Sequence, residues 1–152
     1  MEGKIQNIEL LTNIFGKFPS FHDAEVVQII LKRKENNKFC PILEVLINIK
    51  QYHLGNSFLV NLKFTNIFGL KLENFNHQNV LGNLDIEEFS DQYWETIKND
   101  SRLLGVVSQN EIERLNFYIK FHYCFGVEAE LLCDEVIVDS VKLLTSDELH
   151  NL

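Results

Sequence analysis

The chain has 152 residues, a formal net charge of −8, and 45% apolar against 24% charged side chains. That length suits one domain over 1–152, with a core large enough to need no disulfide staples, and the composition excludes a disordered chain. The acidic balance speaks against an autonomous nucleic-acid binder, which carries a basic footprint, so no nucleic-acid partner is expected.

Residues 5–15 open the chain as a helix. Ile5, Ile8, Leu11 and Phe15 recur at helical spacing, and Leu10 and Ile14 widen the stripe. Gly16 can end it and Pro19 forbids its continuation. The pattern then changes to period two. Val27–Leu31, Leu43–Ile49, Phe58–Phe64 and Phe68–Leu72 each alternate apolar with polar residues. Turns are expected over 32–38 and 51–56. Four such segments predict an antiparallel meander with one face on a core and one partly wet.

Residues 74–83 are rich in Asn and contain Gly82, so the chain turns there. A short strand is expected over 84–89, then a helix over 91–99 capped by Ser90. Residues 100–110 read as a loop or short strand around Leu103–Val107. Strands return at Phe117–Phe125, Val127–Cys133 and Val136–Leu144, with a turn at Asp134-Glu135 and a frayed helical turn near Ser146. The expected fold class is α+β: one large antiparallel, meander-like twisted β-sheet with an N-terminal helix and one inserted helix.

The charge is uneven. Residues 1–71 hold nine basic and six acidic side chains, net +3, whereas residues 72–152 hold five and sixteen, net −11. Such asymmetry marks either a partner surface or a means of staying soluble. The start MEGKIQNIELL has no signal-like apolar stretch, and no window of about 18 apolar residues exists. A cytoplasmic location and no membrane contact are expected. Cys40, Cys124 and Cys133 have no CxxC spacing and read as reduced thiols, the last two as small buried side chains.

The densest polar run is Pro19-Ser20-Phe21-His22-Asp23-Ala24-Glu25. A His-Asp dyad can bind metal or act as acid and base. The other four histidines are isolated, and a metal site needs about three or four converging ligands. The run reads better as a turn whose side chains satisfy backbone donors. No GxGxxG, Walker or GxSxG motif is present, so neither a catalytic residue nor a cofactor or metal is assigned. Trp94 is a core anchor or an interface hot spot.

The run Phe18–Val26, the stretch Phe64–Ile67 leading to Phe75-Asn76-His77-Gln78-Asn79-Val80-Leu81, and Tyr123, Phe125-Gly126 with Val136–Val138 together resemble a bacterial immunity-protein family, number fifty in the polymorphic-toxin series. Phe18 stands where the family usually has Trp. Residues 84–116 match no motif of that pattern. The resemblance implies a non-enzymatic cytoplasmic inhibitor whose partner is a cognate toxin domain with a basic active site. The candidate toxin contacts are then the acidic runs Asp85, Glu87, Glu88, Asp91 and Glu95, with Trp94, and Glu128, Glu130, Asp134, Glu135 and Asp139. Pro19, Ser20, Phe21, His22, Asp23, Glu25, Phe75, Asn76, Gln78 and Asn79 would define the fold. Two rivals are a small metal-assisted hydrolase using His22, Asp23 and Glu25, and a homo-oligomeric structural domain.

Overall fold

The structure, a computed structural model, describes residues 4–100 and 115–152. Helix α1 (Glu9–Phe15) is shorter than the apolar spacing predicts. Gln6 lies outside it and forms a parallel bridge to Ile137, donating its N–H to the Val136 carbonyl and accepting from the Val138 N–H, both at 2.9 Å. Gly16 ends α1 as expected. It takes a left-handed φ of 76°, and its N–H returns to the Thr12 carbonyl at 2.8 Å.

Six strands follow among the described residues: β1 (Glu25–Glu35), β2 (Lys38–Gln51), β3 (Asn56–Glu73), β4 (Val80–Glu88), β5 (Phe117–Phe125) and β6 (Glu128–Leu143). Helix α2 (Asp91–Ile97) lies between β4 and β5, and α3 (Ser146–His150) follows β6. The sheet is antiparallel and closes into a barrel in the order β1-β2-β3-β6-β5-β4. Closure removes the free edges that an open twisted sheet would expose. The β1–β2 hairpin turns on Asn36 and Asn37, both with positive φ, which matches the right-handed twist of the flanking strands.

Two expected breaks are absent. The segments 58–64 and 68–72 are one strand, β3, bent by a bulge at Ile67/Gly69 beside Asn66 with its positive φ. Asp134-Glu135 does not turn. It lies within β6, where Glu135 pairs with Thr65 and accepts a hydrogen bond from its hydroxyl at 2.9 Å. Two adjacent acids resemble a turn, but on a wet outer face they are ordinary strand residues. The expectation for residues 100–110 falls, after Asp100, outside the described residues.

Inward side chains form rungs around the barrel. Val45, Leu62 and Val138 make one, and Leu43, Phe64 and Val136 the next. Ile86, Ile119 and Leu131 make another on the opposite half. Phe64 and Phe121 meet at 6.0 Å between ring centroids and join the two halves. Cys133 is buried in mid-strand, not at a strand end, and burial raises its thiol pKa well above the ordinary range. Cys124 is exposed, contrary to the expectation that it packs inside.

A second, smaller apolar cluster lies apart from that core. Buried Leu115 and Leu132 pack there with Phe68, Phe89, Trp94 and Tyr118. Tyr93 of α2 stacks on Tyr118 at 5.0 Å, so α2 docks on β5 through aromatic contacts. Ser90 holds the N-cap position of α2 with extended φ and ψ, without a capping hydrogen bond from its side chain.

Candidate partner-binding surface

The barrel closes where β1 begins, and the closure is made by backbone. The Asp23 N–H donates to the Leu81 carbonyl (2.9 Å), the Leu81 N–H to Ala24 (2.8 Å), and the Val26 N–H to Asn79 (2.8 Å). Further along, the Leu84 N–H reaches the Ser20 carbonyl at 3.0 Å. The run Pro19–Glu25 is therefore the seam of the barrel. Phe21 and Asp23 both take positive φ, and the Ala24 N–H closes the turn onto the Phe21 carbonyl at 3.0 Å. Phe21 is buried, with Phe18 edge-on at 5.7 Å, and Pro19 and Ala24 are buried beside it.

Asn79 anchors the other side of the seam. It is buried, and its side-chain oxygen accepts from the N–H groups of Asn76 (2.9 Å) and Val127 (3.2 Å). Its amide donates to the Asn76 carbonyl at 2.6 Å. Gly126 completes the junction with a φ of 79°. A Cβ there would lie 2.4 Å from the Gln78 carbonyl oxygen. Phe75 and Gln78 are exposed, and the Gln78 N–H donates to the Asn76 side chain at 2.8 Å. Parts of the stretches that carry the resemblance thus converge: residues 20–26 and 79–84 share backbone bonds, and the Asn79 side chain ties them to Val127.

As catalytic groups the polar members are poorly placed. His22 Nδ1 and Asp23 Oδ2 lie 3.0 Å apart but both are largely solvent-exposed, and Glu25 is half-buried at the start of β1. Among the described residues no three His, Cys, Asp or Glu side chains converge as metal ligands do. The strongly raised phenol of Tyr118 is explained by burial, then by its hydrogen bond to Glu130 at 2.9 Å, without any catalytic role.

The acidic candidates divide by position. Asp85, Glu87 and Glu130 point outward from β4 and β6, between inward Leu84, Ile86 and Leu131. Lysines are interleaved with them: Lys71, Glu130, Lys120 and Asp85 form one cross-strand row of alternating sign. Asp85 is held by His122 Nε2 at 2.6 Å and by the Asn83 amide. Glu130 lies 3.9 Å from both Lys71 and Lys120. Asp91 and Glu95 are exposed on α2, Glu95 paired with Lys98 at 2.6 Å, while Trp94 is half-buried in the smaller cluster. Glu88 pairs with Lys4 at 3.3 Å. On β6, Glu128 and Asp134 are half-buried and Glu135 and Asp139 exposed, Asp139 accepting from Asn61 at 3.3 Å. An open groove of about 490 Å³ runs beside this face, lined by Lys17, Phe18, Pro19, Asp85 and Glu87 among others.

Sequence reading missed the exposed aromatic residues at the seam. Tyr123 and Phe125 were read as alternating strand positions, but both are largely exposed, like Cys124 between them. Register shifts at Val80/Leu81 and Leu81/Asn83 break the alternation there, and no sequence signal marks them.

A family model described as Immunity protein 50 matches residues 7–118. Neither a curated protein nor a solved structure matches the chain. The match runs through 84–116, which corrects the expectation that this stretch lies outside the family pattern. It stops before Tyr123, Gly126 and the closing strand.

Proposed function

The chain belongs to the immunity protein 50 family, and from that premise we propose that it binds and neutralises one cognate bacterial toxin. It does so without chemistry of its own, by covering the toxin's active site. The observation that carries this reading is the family match over residues 7–118.

The toxin's site is basic, of the kind that handles a polyanionic substrate. Outward acids on β4, α2 and β6 supply a complementary field, and the excess of sixteen acidic over five basic side chains beyond residue 71 extends it over long range. The seam residues His22, Asp23 and Glu25 belong to the turn that closes the barrel and carry no chemistry. Complex formation takes place in the cytoplasm. No described helix is long and apolar enough to cross a membrane, which is compatible with that location.

The test is a titration of the purified toxin domain's activity with the purified chain. Stoichiometric loss of activity, with association slowing as salt rises, is the expected result. Undiminished toxin activity at several-fold excess of the chain would refute the reading.

A further inference from the structure

Three large side chains stand out at the seam. Phe75, Tyr123 and Phe125 are 46%, 61% and 61% exposed. They are neighbours by backbone register. Phe125 pairs with Val80 and Tyr123 with Leu81, while the Asn79 side-chain oxygen holds the N–H groups of Asn76 and Val127 together. Phe75 precedes Asn76, and Phe125 lies two residues before Val127. Three large exposed aromatic side chains on adjoining segments are unusual for a surface that meets only water. Aromatic residues of this size dominate binding energy when a partner covers them.

The surroundings state what kind of partner fits. Glu73 and Glu128 lie directly opposite each other across β3 and β6. Glu25 lies across the seam from Val80, and Asp23 is bonded to Leu81. Lys50 shares a groove with Asp23, Glu25 and Val80, and Lys71 one with Glu73 and Glu128. The aromatic face is therefore rimmed mainly by carboxylates, and a basic partner surface with apolar side chains at its centre complements it. The underlying backbone is rigid: Asn79 and Gly126 fix both loops, so little ordering entropy is lost on binding.

We infer that the aromatic face formed by Phe75, Tyr123 and Phe125 is the central contact for the basic toxin, with the acids of β4, α2 and β6 acting as its outer, steering field. This rests on the immunity reading above and locates the binding surface that reading leaves open.

The experiment measures the dissociation constant of the full chain for its cognate toxin domain, with sedimentation velocity on the chain alone. The double variant Tyr123→Ser/Phe125→Ser should weaken binding at least 30-fold while its unfolding midpoint and circular dichroism match the parent. Phe39→Ser, at a residue 70% exposed on the β1–β2 hairpin, should bind like the parent. Glu128→Lys should slow association several-fold at low salt and less at high salt. Binding by the parent with an unaffected double variant overturns this inference alone and leaves the immunity reading standing. No binding by the parent overturns both. A parent dimer that the double variant converts to monomer assigns the face to a second copy of the chain and also overturns the inference.

Discussion

The side-chain oxygen of Asn79 accepts a hydrogen bond from the backbone N–H of Val127, 48 residues further along the chain, at 3.2 Å. The same oxygen accepts from the Asn76 N–H, so one buried amide ties the loop before β4 to the turn between β5 and β6. That junction sits against the seam at which β1 meets β4.

Asn79→Ala removes the acceptor and leaves two backbone N–H groups without a partner. A buried donor so stranded costs about 1–3 kcal/mol. The variant should lose about 2–4 kcal/mol of unfolding free energy in urea. A loss within about 0.5 kcal/mol, the range of an ordinary surface substitution, would mean that the junction is not a structural anchor.

Gly126 and Gly55 form a natural control pair. Both have positive φ, 79° and 70°, but a Cβ at Gly55 meets nothing within 4 Å whereas one at Gly126 lies 2.4 Å from the Gln78 carbonyl oxygen. Gly55→Ala should cost about 1 kcal/mol from backbone strain alone. Gly126→Ala should cost at least about 2 kcal/mol more, because the crowding atom is main chain and has little room to give. Equal losses in thermal unfolding would contradict the crowding.

Tyr118 carries a pH signature. Burial first, and then donation to Glu130, raises its phenol well above the ordinary tyrosine value. The folded state therefore holds this proton more tightly than the unfolded chain does. Its contribution to stability is fully present below about pH 10 and declines as pH rises from there toward the folded value. In an alkaline titration followed by tyrosinate absorbance, Tyr118, identified by comparison with a Tyr118→Phe variant, should ionise later than a free tyrosine until the protein unfolds. Glu130→Gln should reduce the lag without abolishing it, since burial is the larger cause. Ionisation of Tyr118 in the folded state at the ordinary tyrosine value would rule this environment out.

The exposed acids of α2 and β6 should affect rate more than stability. Amide substitution of Asp91, Glu95, Glu135 and Asp139 together removes four negative charges from residues on the surface. Exposed charge pairs contribute little to folding, so the unfolding free energy should change by less than about 1 kcal/mol. Association with the toxin should slow by about tenfold at low salt and converge with the parent at high salt. An unchanged rate at low salt would take these residues out of the steering field.

Much of the architecture was legible because alternation is local. Val45 and Ile47, or Val60, Leu62 and Phe64, are all inward and buried as period two requires. Gly16 ended α1 where its conformational freedom allowed. The misreadings arose where a distant partner decides the outcome. Glu135 looks like a turn residue until Thr65 is placed opposite it. Phe68 looks like the start of a strand because the bulge at Ile67/Gly69 is set by pairing with β6. The seam residues Pro19–Glu25 were recognisable as a structural turn, yet their partners at 79–84 are chosen only when the sheet closes. Exposure of Tyr123, Cys124 and Phe125 followed from register shifts between β4 and β5, which leave no trace in the order of residues.

Growth rescue is the most direct measurement of whether this chain is an immunity protein in action. Cells expressing the proposed cognate toxin domain should die without the chain and grow normally with it. The Asn79→Ala variant should protect less, in proportion to its lost stability. Continued killing despite well-folded, abundant parent chain in the cytoplasm would contradict the assignment of toxin neutralisation.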